Sequence, residues 1–222
     1  MNPYDHARSS ARIHGGRWED YHPLHAWFDA TKAVRCHFTH RALRHHDEGV
    51  LVAGRRFGDA VVNSDGAAVP IAELGRQHML EDCRFAPTAS DWTVGYEVPD
   101  WVAGDEIGAE ALAELSARRF GGTPEDHLPL HRWFLETRSW TTGAAHLMVR
   151  HHAFGCFEAE ETFGPVITWA SGGVPTRVAA EHHVQTVVGR VPTAADWLKR
   201  IRGDRWMLQA TSAQKLGLDR AA

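Results

Sequence analysis

Residues 15–58 align with residues 121–164 without a gap, and this internal duplication constrains the fold more than any other feature of the chain. Identical pairs include Gly15/Gly121, Asp20/Asp126, Pro23/Pro129, His25/His131, Trp27/Trp133 and Phe28/Phe134. They continue through His40/His146, Arg44/Arg150, His45/His151, His46/His152, Gly49/Gly155 and Phe57/Phe163. After a one-residue gap, His78, Pro87 and Trp92 match His183, Pro192 and Trp197. Such self-similarity predicts two copies of one structural unit. The expected layout is a first repeat over 1–98, a linker rich in turn formers over 99–107, a second repeat over 108–208 and a fraying tail over 209–222. The expected class is mainly α with small β-hairpins, as two tandem helical repeats with pseudo-twofold symmetry.

Each repeat reads alike. A first helix (Pro3–His14; Ala109–Phe120) stops at a Gly-Gly pair. A longer helical segment starts near His22 or Pro129 and runs to Phe57 or Phe163, straight or broken, with Gly143 favouring a break in the second copy. Val61–Val69 predicts a hairpin turning at Asp65-Gly66, and Val166–Val174 one turning at Gly172-Gly173. A third helix follows Pro70 or Pro175, and a short last one follows the candidate N-caps Thr88 and Thr193. The expected core includes Trp27, Phe28, Phe57, Trp133, Phe134 and Phe163, with Trp92 and Trp197 as anchors.

The net charge of −4 disfavours nucleic acid as a partner, because phosphate binding needs a cationic surface. No stretch of about 18 apolar residues occurs, so no membrane span is expected. Cys36, Cys83 and Cys156 are odd in number and lack a CxxC pair, which fits buried thiols in a reducing cytoplasm better than a disulfide framework.

The segments PEDHLPLHRWF (124–134), HRALRHH (40–46) and PTAADWLKRI (192–201) resemble an uncharacterised family of small histidine-rich bacterial and phage proteins, a domain of unknown function. Members of that family usually carry one copy, and here there are two. The resemblance implies the domain layout and no chemistry.

The 16 histidines carry the functional signal. Imidazole is the commonest protein metal ligand, and three of them fall within His40–His46, with a matching set at His146, His151 and His152. On one straight helix His25, Asp29, Lys32, Cys36 and His40 share a face, His46 flanks it and His45 lies on the far side. A kink near residue 33 would fold His25 back towards His40. His78 and Asp82 form an i,i+4 pair suited to chelation. The candidate ligands in the first repeat are therefore His25, His40, His46 and His78, with Asp82 or Asp29 as carboxylate. Their counterparts are His131, His146, His152 and His183, where Leu135 and Val187 replace the two acids. The competing reading is that these histidines pack in the core with hydrogen-bonded rings.

The ligand types suit a divalent ion, zinc before iron. The expected activity is metal-dependent hydrolysis of a small molecule by a metal-activated water, with His45 as general base and Arg44 as an anion hook or the partner of Asp20. The alternatives are a non-catalytic binding or scaffold protein and a non-haem iron oxygenase.

Overall fold

The computed structural model describes residues 1–102 and 107–218. Residues 103–106 of the expected linker and 219–222 of the tail lie outside the described residues. The first repeat runs α1 (Pro3–His14), α2 (Trp18–Asp29), two 3-10 turns (Ala30–Ala33 and Phe38–Leu43), then α3 (Asp47–Phe57). It continues through β1 (Ala60–Val62), β2 (Ala68–Pro70), α4 (Ile71–Cys83) and α5 (Ala89–Trp92). The second repeats this order as α6 (Ala109–Phe120), α7 (Pro124–Leu135), 3-10 turns at Glu136–Ser139 and Gly143–His146, α8 (Leu147–Arg150) and α9 (Ala153–Phe163). Then come β3 (Val166–Trp169), β4 (Gly172–Pro175), α10 (Thr176–Val188) and α11 (Ala194–Leu198). The protein is mainly α with two small antiparallel hairpins. No described helix is long and apolar enough to cross a membrane.

The long middle segment starts earlier than expected and is broken in both copies, so the straight-helix geometry does not hold. Two local devices make the break. His46 takes an extended backbone and its Nδ1 accepts the Gly49 N–H at 3.0 Å, capping α3. His152 caps α9 in the same way through Gly155 N–H at 2.9 Å. A helix start leaves unpaired N–H groups that such an acceptor satisfies. The following glycine has no alternative, because a Cβ at Gly49 or Gly155 would fall on the carbonyl oxygen of Arg44 or Arg150.

Capping boxes at Thr88/Asp91 and Thr193/Asp196 start α5 and α11, as the sequence predicts. Each delivers a tryptophan whose indole N–H donates to a histidine carbonyl, Trp92 to His45 (2.9 Å) and Trp197 to His151 (3.0 Å). Trp92 and Trp197 are fully enclosed, with Phe28 and Phe134. Trp27 is buried beneath the Arg44 guanidinium, 4.2 Å from its ring centroid, whereas Phe57, Trp133 and Phe163 are only half-buried. Cys83 and Cys156 are buried, but Cys36 is exposed, contrary to expectation.

The first hairpin turns at Gly66 as expected, pairing Val61 with Val69. The second turns at Ala170-Ser171, not at Gly172-Gly173, which pair in β4. Trp169 explains the difference: a Cβ at Gly172 would sit 3.3 Å from its Nε1, and one at Gly122 2.9 Å from its Cδ2. Gly172 makes room for an indole instead of forming a turn.

Within the expected tail, residues 209–218 hold a 3-10 turn at Ala213–Leu216 tied to the first repeat, and the turn just before it, Arg205–Leu208, is tied there too. Thr211 N–H donates to Glu81 O at 2.7 Å, and Arg41 Nη1 donates to Met207 O at 3.2 Å. The sequence pattern here is polar and aperiodic, so only the backbone bonds reveal it.

Gly49→Ala and Gly155→Ala should each destabilise the fold by about 3 kcal/mol through this backbone collision. Urea unfolding followed by circular dichroism measures it. A change below about 0.5 kcal/mol would show that the helix start can shift to absorb the methyl group.

Candidate metal centre

The first repeat brings four chemically similar atoms to one point inside its core. The end of α2 supplies Asp29, and the chain just before α3 supplies His45. One face of α4 supplies His78 and Asp82. Ligand atoms of these four residues lie within 4.8 Å of one another. His45 Nε2 stands 2.9 Å from His78 Nε2, 3.4 Å from Asp82 Oδ2 and 3.6 Å from Asp29 Oδ1. His78 Nε2 stands 4.0 Å from Asp82 Oδ2. Four donors around a tetrahedral ion at about 2.1 Å would be about 3.4 Å apart, so the observed spacings bracket that geometry. His45, His78 and Asp82 are fully buried, and Asp29 is 4% exposed.

Charge and hydrogen bonding define which atoms are available. Burial opposes ionisation of Asp29, but His45 and Lys32 outweigh it and bring its pKa down to about 2. Lys32 Nζ lies 2.8 Å from Asp29 Oδ1. Burial likewise opposes ionisation of Asp82, yet His45 and His6 hold it well below the usual carboxylate range. Asp82 Oδ1 meets the Met1 ammonium at 2.7 Å, and Oδ2 meets Arg41 Nε at 3.1 Å. Even so, both Asp29 oxygens and Asp82 Oδ2 are buried without a hydrogen bond of good geometry.

A relay of imidazoles leads away from this point. Ser10 Oγ donates to Gln77 Oε1 at 3.0 Å and lies 2.8 Å from His25 Nε2. His25 Nδ1 is 3.0 Å from His78 Nδ1. Burial pushes the pKa of both His25 and His78 well down, and His6 adds to the shift. Both rings are therefore neutral, and one set of tautomers satisfies the chain. His25 Nε2–H donates to Ser10, His78 Nδ1–H donates to His25, and His78 Nε2 keeps its lone pair towards His45 and the acids. In that set the one hydrogen on His45 Nε2 points to His78 and not to Asp29 or Asp82.

His6, His25 and His78 form a second close group. A neutral His78 has one lone pair, so it serves one group or the other. His6 is instead held by acids: its Nδ1 is 2.6 Å from Glu81 Oε2 and its Nε2 is 3.4 Å from Asp82 Oδ1. Burial works against charge on His6, but bonding to Asp82 and Glu81 outweighs it and raises the pKa. His6 and Glu81 were not singled out from sequence. A usable signal existed, since Glu81 neighbours Asp82 and both His6 and Glu81 lose their character in the second repeat, as Leu112 and Thr186.

Of the candidates read from sequence, Asp29, His78 and Asp82 meet at this point, and His25 is one hydrogen bond behind it. His45 joins them as a potential ligand because the chain is not helical there. His40 does not: its Nδ1 lies 2.8 Å from the Thr31 hydroxyl, pinning the 3-10 turn. His46 and His152 are occupied as helix caps, and His146, the counterpart of His40, lies 3.2 Å from the Thr137 hydroxyl. Arg44 reaches the Trp27 carbonyl and stacks on its ring. Asp20 accepts from Ser64 N–H and Oγ at 2.9 Å and ties the hairpin to α2. In the second repeat Ser116, His131, His183 and His151 reproduce the relay at 2.9, 2.7 and 3.1 Å. Leu135 and Val187 replace the acids, and no ligand group forms there among the described residues.

The family model for a domain of unknown function, DUF6915, matches residues 1–102 and again 109–207. The chain belongs to this family, as a tandem pair. No curated protein and no solved structure matches it.

His152 makes the domain acid-sensitive. Burial lowers its pKa to about 4 from 6.5. Its neutral ring accepts from Gly155 and donates from Nε2 to Val149 O at 3.1 Å, so a second proton removes the cap. A depressed folded pKa stabilises the fold above the unfolded value, and the contribution is lost as pH falls towards the folded value. The loss from His152 between pH 6.5 and 4 is on the order of 3 kcal/mol. Urea midpoints taken across that range should fall, and His152→Asn, which keeps a capping acceptor, should flatten the profile. An unchanged slope in the variant would remove His152 as the cause.

Proposed function

We propose that the first repeat binds one divalent metal ion, zinc before iron, through Asp29, His45, His78 and Asp82. The observation that carries this is the convergence of two carboxylates and two imidazoles, their ligand atoms within 4.8 Å of one another, in a buried site. Ionised carboxylates held this deep need compensating positive charge, and a divalent ion would add to that of Lys32 and Arg41. The surroundings suit a ligand role. His78 donates its other ring N–H to His25, which fixes the tautomer, and Arg41 and Lys32 orient the two carboxylates.

The burial of all four donors favours a closed, structural ion over a catalytic one. Hydrolase and oxygenase chemistry both need a coordination position that substrate or water can reach. We therefore take the protein as a metal-stabilised helical binding or scaffold module, with the second repeat holding the same scaffold on apolar contacts. The three free cysteines favour a reducing, cytoplasmic setting.

Elemental analysis of untagged protein after zinc reconstitution should find about one ion per chain, and chelation should lower the melting temperature. The triple variant Asp29→Leu, Arg41→Leu, Asp82→Val installs the second repeat's own residues. It should fold and bind no ion at this site. Native protein holding under about 0.1 ion per chain, or a folded triple variant that binds like the native protein, would sink the proposal.

A further inference from the structure

Sequence repeats and compact units do not coincide. One unit comprises residues up to Val94 together with the segment from Ile201 onwards, and the other comprises Gly95–Arg200. The break follows α5 in the first repeat and α11 in the second. The end of each repeat thus belongs with the body of the other.

Aromatic contacts show that this is one contact made twice. The Trp206 ring lies 4.7 Å from Trp92, at 65°. The Trp101 ring lies 4.8 Å from Trp197, at 69°. The spacing that relates Trp92 to Trp197 also relates Trp101 to Trp206, so the two pairs are equivalent. A second position agrees. Phe85 packs on Trp206 at 4.9 Å, and its counterpart Arg190 stacks on Trp101 at 4.2 Å. Each indole is clasped by the same two positions, and in both cases they come from the other repeat. Further bonds fix each segment. Thr211 N–H donates to Glu81 O at 2.7 Å and Arg12 Nη1 donates to Gly217 O at 3.2 Å. Tyr96 Oη donates to Trp197 O at 3.1 Å.

Exchanging identical elements between copies preserves every contact while linking the copies, which makes it a low-cost route to association. We propose that the surface formed by Trp92 and Phe85, and its counterpart formed by Trp197 and Arg190, is a docking site for the C-terminal segment of another copy of this domain. In this chain duplication provides both copies, so each repeat completes the other. One consequence bears on the candidate ion site. The segment from the second repeat lies on α4 at Glu81, and Arg41 joins it to Asp82 by bonding Met207 O at 3.2 Å and Asp82 O at 3.3 Å. The exchange itself does not depend on whether that site binds metal.

The test uses the full chain with a protease recognition sequence inserted between residues 103 and 106, cut after folding. The two pieces should elute together on size exclusion at the volume of the uncut protein. The Trp101→Ala, Trp206→Ala double variant should release them on cutting. Hydrogen exchange on the uncut protein gives a readout free of folding defects. The Thr211 amide should exchange at least about a hundredfold more slowly than an unstructured amide and lose that protection in Trp206→Ala. Native pieces that separate on cutting, a double variant whose pieces stay together, or a Thr211 amide that exchanges freely would each overturn the proposal.

Discussion

A carboxylate removed from water has to be met by positive charge, and Asp82 imposes that requirement on the whole first repeat. It lies on the buried face of α4 with no exposure. To meet it, the fold brings the Met1 ammonium, His6 of α1 and Arg41 of a 3-10 turn to one helix turn. These groups come from α1, the residue before it and a 3-10 turn, so the packing of those elements on α4 and its charge pairing are set together. Asp29 repeats the requirement on a smaller scale with Lys32. The breaks in the middle segment follow, because only a chain that leaves helical geometry at residues 44–46 can aim His45 inwards while His46 caps α3.

The second repeat keeps the same scaffold without those charges. It keeps the serine–histidine relay, the capping histidine, the arginine on the tryptophan ring and the indole bond to a histidine carbonyl. It replaces Asp29, Arg41, Glu81 and Asp82 by Leu135, Leu147, Thr186 and Val187. Imidazoles without the acids are therefore scaffold in the second repeat, where burial keeps His131, His151 and His183 neutral. What distinguishes the first repeat is the group of charges that was exchanged as a set. Removing one member would leave an unpaired buried charge, whereas removing all of them leaves an ordinary apolar core.

The reciprocal placement of the two C-terminal segments changes what a repeat means here. The stretch that matches the family twice ends with the indole that packs on the other copy. A single repeat read in isolation would have an uncovered tryptophan at its end and an uncovered one in its body. The pairing removes both apolar surfaces from water without any new contact type.

The sequence alone determined the duplication, the first helices, the caps at Thr88 and Thr193, the first hairpin and the presence of a chemical difference at Asp29 and Asp82. These are local signals, carried by residue type and spacing over a few positions. Ligand membership was only partly legible. His78 and Asp82 share a helix face, so their pairing could be read, whereas His45 was misplaced because its direction depends on a turn set by a carbonyl 44–glycine 49 approach. His40, His46 and Arg44 are the same residue types in the same stretch, yet hydrogen bonds to Thr31, Gly49 and Trp27 engage them elsewhere. His6 and the segment after residue 200 were invisible for a related reason. Their partners lie at Glu81, Asp82 and Trp92, far away along the chain, and local periodicity carries no information about contacts of that range. Sequence set which groups were available, and tertiary packing decided which lone pairs were left unshared.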